Sequence, residues 1–305
     1  MLEVLAPVVF AVLLWWSSTA ALLMLDRLPR STYGASLAAG TVLAGIGVVS
    51  ILMTADERTE TSAYVGFVGA ILVWAWHEMS FLFGLVTGPR REACPPGASG
   101  WQRFRLATAT LITHEIAILL TAIALLALTW GAENATAMTT FAVLWVMRLS
   151  AKLNIFLGVP NLSDDLMPAH LDYLKSYFAR RPMNALFPVS VTFGTLAACW
   201  FALTGLTAGD DPHMLTAGLL IATLLALAVL EHWFLVLPVP DAALWMWAVP
   251  DEEARPPASE ERALPVIGPL ASGRSRRASG TEFDADQRHE TTTTVLSAAL
   301  VGATR

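Results

Sequence analysis

The chain has 305 residues, of which 55% are hydrophobic and only 14% charged, with a mean hydropathy of +0.56 and a formal net charge of −6. A soluble domain carries about 25% charged residues, so composition excludes an ordinary soluble fold and points to the membrane class. The charges fall in connections and in the C-terminal tail, with no basic stripe interleaved with aromatics, which sets nucleic acid aside as a partner. Cys94 in a predicted connection and Cys199 in a predicted span lie at different depths without zinc-finger spacing, so neither a disulfide nor a structural zinc is expected.

Apolar runs of about the 20 residues needed to cross a hydrocarbon core occur near 4–25, 34–54, 62–87, 105–130, 137–158, 186–207 and 214–237. They predict an all-α polytopic membrane helix bundle of about seven transmembrane helices over residues 1–250. The first run has Glu3 where a signal peptide carries basic residues and is followed at once by Asp26, Arg27 and Arg30, so it is expected to remain a helix. Of the 19 Lys and Arg, sixteen fall in the odd-numbered connections and the tail. One, Arg58, falls in an even connection, and Arg148 and Lys152 lie inside the fifth span. The positive-inside rule then places the N-terminus outside and the C-terminus in the cytoplasm.

Three histidine–glutamate neighbours interrupt these spans: His77-Glu78 in the third, His114-Glu115 in the fourth and Glu231-His232 in the seventh. An ionisable side chain inside a bilayer costs roughly 3 kcal/mol even on the mild insertion scale, so these groups must meet one another, a metal or a ligand. Counted from the span ends at 1.5 Å per residue, the pairs share one layer roughly 10 to 15 Å deep. Arg148 and Lys152, four residues apart and therefore on one helix face, reach the same layer. The four charged spans are expected to pack as neighbours with the six pair residues converging.

The connection 158–184 reads as an amphipathic interfacial helix starting at Ser163, Asp164 and Asp165, with Leu166, His170, Leu171, Leu174, Tyr177 and Phe178 opposite Asp172, Lys175 and Arg180. His170 is expected either to point into the mouth of the charged layer or to rest among lipid headgroups. After the seventh span the Leu237–Asp241 stretch breaks the helix, and Trp245 and Trp247 read as interfacial aromatics. Residues 251–305, rich in Pro, Ser, Arg and Thr, are expected to form a mostly disordered cytoplasmic tail.

Imidazole and carboxylate are ligands for iron, zinc or manganese, and helix bundles build dimetal sites from inward-facing Glu and His. His77, Glu78, His114, Glu115, Glu231 and His232 are therefore candidate metal ligands. His170, Arg148 and Lys152 are candidates for binding a cofactor. Adjacent residues on a helix point about 100° apart, which suits metal binding less well than spacing of three or four; neither HExxH nor Glu-x-x-His occurs. Three other roles fit the same residues: mutual pairing that fixes helix register, axial ligation of a tetrapyrrole by His77, His114 or His232, and a proton path. No Gly-x-Ser-x-Gly, P-loop or dinucleotide fingerprint is found.

The block KLNIFLGVPNLSDDLMPAHLDYLKSYF over 152–178, with WHEMSF at 76–81, TGPR at 87–90 and EHWF at 231–234, resembles the PuhE family, photosynthetic complex assembly proteins of anoxygenic phototrophic bacteria. The likeness covers roughly residues 1–250. It implies a multi-pass protein of the bacterial inner (intracytoplasmic) membrane that supports reaction-centre assembly or adjusts bacteriochlorophyll supply. Expected partners are the lipid bilayer, reaction-centre subunits or pigment-synthesis enzymes. The competing class is a membrane metalloenzyme, a diiron oxygenase or zinc hydrolase acting on a lipid or pigment precursor.

Overall fold

A computed structural model describes residues 1–162 and 167–237; the expected tail, Trp245, Trp247 and the expected helix start at Ser163–Leu166 lie outside the described residues. The helices are α1 (Leu2–Asp26), α2 (Tyr33–Met53), α3 (Glu60–Leu82), α4 (Gly100–Ala109), α5 (Ile112–Leu128), α6 (Thr136–Leu157), α7 (Leu186–Leu206) and α8 (Pro212–Phe234). Six are long and apolar enough to cross a membrane, and α4 with α5 makes a seventh if the bent pair is one span. The chain is thus an all-α, multi-pass membrane protein.

α3 and α8 form the centre. Their apolar windows are 61% buried, against 11% for α1 and α2 and 17% for α6 and α7. Around α3, Trp74 meets Phe141 of α6 and Ile118 of α5, while Phe67 and Ile71 pack with Ala11 of α1 and Leu220 and Leu224 of α8. The outer helices leave broad apolar faces, which lipid tolerates as well as a protein core would.

Without a hydrophobic drive between helices, close packing needs small residues at the crossings. A Cβ on Gly47 of α2 would lie 2.7 Å from the Gly69 carbonyl oxygen of α3, and one on Gly218 of α8 would lie 2.7 Å from the Phe201 carbonyl oxygen of α7. Both pairs touch backbone to backbone.

Connections at the two ends are tied by polar contacts. At one end Asp211 caps α8 through the Met214 N–H and pairs with Arg58, contacts that hold its carboxyl below the usual range. Asn134 there donates to the Thr54 and Ser62 carbonyls. At the other, basic end, Asn184 donates to the Asn154 and Gly158 carbonyls, and Arg103 reaches the Phe156 and Tyr177 carbonyls.

Two expectations are corrected. The third span ends at Leu82, not near residue 87. The fourth is broken, with α4 and α5 bent by 65°. No Pro or Gly lies at the break. Instead Thr110 turns its hydroxyl onto the Ala107 carbonyl (2.6 Å), and the segment after α3 docks on the exposed backbone, with Arg90 N–H donating to the Ala109 carbonyl (3.1 Å) and His114 N–H to the Thr87 carbonyl (2.8 Å). Main-chain groups freed inside a membrane protein must be satisfied within it. Gly88 permits this docking, because a Cβ there would sit 2.2 Å from the Ala109 oxygen.

The connection after α6 also differs. Ala169–Tyr177 is a 3-10 helix in place of the expected α-helix, and its three-residue period puts Leu171, Leu174 and Tyr177 on one buried face. Lys175 and Asp172 pair on the outer face at 2.9 Å.

Gly218→Leu is expected to force α7 from α8 and destabilise the protein by about 1 to 3 kcal/mol. Gly45→Leu, where an added Cβ meets nothing within 4 Å, should be silent. Thermal unfolding in detergent checks this, and equal losses in both variants would refute the packing argument.

Candidate functional site

The charged layer lies where α3, α5 and α6 meet near the basic end, nearer the helix ends than expected. His77 is five residues from the end of α3 and Lys152 five from the end of α6, roughly 8 Å at the helical rise. For His77 the cause is the early termination of α3.

Four of the six pair residues are brought together. His77 and His114 stand edge to face with ring centroids 6.4 Å apart. Glu78 accepts from Arg148 (3.2 Å) and Glu115 accepts from Lys152 (2.7 Å) and from the Trp145 indole N–H (3.1 Å). Arg148 and Lys152, one turn apart on α6, thus each take a carboxylate from a different helix. The Glu78 side chain is 9% exposed, whereas Arg148 keeps 48% of its surface open. A charge removed from solvent this far persists only when paired.

His77 bonds through Nε2 to the Thr121 hydroxyl (2.9 Å). His114 is fully buried, its ring 4.7 Å from that of Phe81, and neither of its nitrogens has a hydrogen-bond partner. Nδ1 of His77 and Oε1 of Glu78 are likewise unpartnered. Lys152 lies 5.5 Å above the Phe81 ring, adding a cation–π contact to its ion pair.

The third pair separates. His232 donates from Nδ1 to the Ala228 carbonyl (2.8 Å), which makes Nε2 the acceptor facing the Ser150 hydroxyl (2.9 Å). Ser150, Ser190 and Asn154 continue this neutral network toward α7. Glu231, one residue earlier on α8, interacts electrostatically with Arg148. Among the described residues no three His, Cys, Asp or Glu side chains are grouped so as to hold a metal ion. His170 sits apart from the charged layer, donating from Nε2 to the Leu82 carbonyl (2.7 Å) beside Tyr33.

Thr121, Trp145, Ser150, Ser190 and Asn154 belong to the site without having been read from the sequence. Asn154 carried a usable signal, as an amide within an apolar run. The hydroxyls carried none, because Ser and Thr are common in membrane helices.

Beside the layer a groove of about 320 Å³ opens between α4–α5 and α6, lined by apolar side chains including Phe104, Leu119, Leu149 and Phe156, with Glu115 and Lys152 in its wall.

The fold and this layer define a class: a multi-pass helical membrane protein with paired charges and buried histidines between its central helices. The chain belongs to the family described as "Protein of unknown function (DUF3623)", whose model matches residues 1–256. A Rhodobacter capsulatus protein described as "Uncharacterized 30.4 kDa protein in puhA 5'region" is 40% identical over 267 residues, covering 86% of this chain and 96% of that one. No solved structure matches.

Glu115→Ala strands Lys152 and is expected to cost about 3 to 5 kcal/mol, seen as loss of membrane-accumulated protein on immunoblot. Glu115→Leu combined with Lys152→Met should recover most of that loss. A double variant as depleted as the single one would show that the pair does more than neutralise itself.

Proposed function

We propose that this protein is a membrane assembly factor for the bacterial photosynthetic apparatus, acting in reaction-centre assembly or bacteriochlorophyll supply. The observation that carries the reading is the groove between α4–α5 and α6. Its wall is mostly apolar, with Thr108, Trp145 and the Glu115–Lys152 pair as its polar groups, the composition of sites that hold an apolar ligand and orient it through a few polar groups. The buried His77 and His114, the latter adjoining Glu115 on α5, are the groups this reading assigns to a pigment or a metal. The resemblance to the PuhE family and the puhA-linked relative give the photosynthetic context. The bacterial inner (intracytoplasmic) membrane, with reaction-centre subunits or pigment-synthesis enzymes as partners, is the setting this role requires.

Leu149→Trp should fill the groove while leaving the charged residues themselves unchanged. In a complemented deletion strain, bacteriochlorophyll and reaction-centre absorbance are expected to fall while immunoblots show unchanged protein. Unchanged pigment at unchanged protein would remove the groove from the function. His77→Ala and His114→Ala are expected to impair function with the protein still inserted.

One observation favours a second reading, the membrane metalloenzyme acting on a lipid or pigment precursor: His114 is wholly buried with both nitrogens unpartnered. Metal analysis of purified protein separates the two. About two equivalents of iron, or one of zinc, lost in His77→Ala and His114→Ala, would favour the enzyme, and co-purified bacteriochlorophyll the assembly role.

The proposed orientation has a periplasmic N-terminus and a cytoplasmic C-terminus, from the asymmetry of basic residues. A fluorescent protein fused to the C-terminus should be bright and a phosphatase fused there inactive; the opposite pattern would invert the topology.

A further inference from the structure

A second pocket, of about 180 Å³, lies at the basic end and is separate from the charged layer. Three chain segments build it: Arg30 from the turn before α2 and Tyr33 at its first residue, Gly84, Thr87 and Arg91 from the loop after α3, and His170 and Tyr173 from the 3-10 helix. Its floor is the Tyr33–Phe83 stack, with centroids 4.0 Å apart and planes 8° from parallel. Gly84, at φ +73°, brings the loop in so closely that a Cβ would lie 3.0 Å from the His170 ring.

The donors are strongly biased toward an anion. Arg30 and Arg91 form no ion pair among the described residues, and the neighbouring acid Glu92 is drawn off to Arg90 (3.2 Å). The Thr87 side chain is 1% exposed and its hydroxyl has no partner; the Tyr173 hydroxyl is also buried and unpartnered. Among the described residues no carboxylate lines the pocket. The nearby Asp26 takes the Tyr33 hydroxyl on its main-chain carbonyl (2.7 Å). Burial pushes the His170 imidazole below its ordinary range and Arg30 pushes the same way, against the pull of the Leu82 carbonyl. The positive charge therefore comes from the two guanidinium groups, which suit tetrahedral oxyanions.

We propose that this pocket binds a phosphoryl anion, supplied either by the headgroup of an anionic lipid or by a free phosphate or diphosphate. The site lies at the ends of α2 and α3, which in a bilayer-spanning bundle is the level of lipid headgroups. Its volume of about 180 Å³ is that of a small-anion site. That is room for one or two phosphoryl groups beside the two guanidinium groups.

The test uses the full chain in dodecyl maltoside, with ionic strength fixed by chloride, and reads thermal midpoint and affinity with sodium diphosphate, phosphatidylglycerol and phosphatidylcholine. At least one anionic probe is expected to raise the midpoint, while phosphatidylcholine, whose choline neutralises its own phosphate, does not. Stabilisation by diphosphate identifies a soluble source. Stabilisation by phosphatidylglycerol that excess diphosphate fails to reverse identifies a lipid. Arg30→Gln with Arg91→Gln should weaken binding roughly tenfold or more, whereas Arg105→Gln, an exposed arginine outside the pocket, should leave it unchanged. Thr87→Val keeps the carbonyl that accepts from His114 and should weaken binding several-fold, providing a reading even if the double variant fails to accumulate. Absence of stabilisation by both anionic probes, an equal loss in Arg105→Gln, or undiminished affinity in Thr87→Val would overturn the proposal.

Discussion

Arg148 and Lys152 can stay charged inside an apolar span because α3 and α5 each present a carboxylate to them. The arrangement of the inner bundle follows from that requirement. Two cations one turn apart on α6 fix which neighbours it must have and at what height, since Glu78 and Glu115 have to arrive at matching levels. The pairing also commits both carboxylates, leaving the histidines beside them as the less constrained polar groups of the layer. The neutral His232–Ser150–Ser190 network shows the other way to bury polarity here, through hydrogen bonds that carry no net charge.

The same demand for satisfied polar groups explains the bent fourth span. Breaking a helix exposes donors and acceptors, and the Thr87–Arg90 segment supplies partners from a distant part of the chain. The segment that stabilises the break thereby acquires a fixed shape. That shape places Thr87 and Arg91 at the basic pocket and His114 beside His77, so one pair of main-chain bonds organises two polar regions.

Six spans were legible because each is a long apolar run closed by polar residues. The break in the fourth was not, because its causes, Gly88 and the TGPR stretch at 87–90, lie about twenty residues before it in sequence. The association of Arg148 and Lys152 with the glutamates followed from spacing and depth. Glu231-His232 does not join them in one centre among the described residues: Glu231 interacts electrostatically with Arg148, whereas His232 is bonded to the Ser150 hydroxyl of α6 and the Ala228 carbonyl of its own helix. The interfacial helix was misread for a different reason. Leu171, Leu174 and Tyr177 recur strictly every three residues, the period of a 3-10 helix, while His170 and Phe178 filled in an α-helical pattern around them.

The 3-10 helix also carries an implication for how this chain can change in length. Surface connections usually absorb insertions and deletions freely. Here each residue advances the side chains by about 120°, so one added or deleted residue between Leu171 and Tyr177 would turn the later part of the buried face outward. It would also carry Tyr177 away from Arg90, which donates to its hydroxyl, and from Arg103, which holds its carbonyl. Residues 169–177 therefore form a segment of fixed length, in which substitutions on the Asp172–Lys175 side are cheap and any change of register is not.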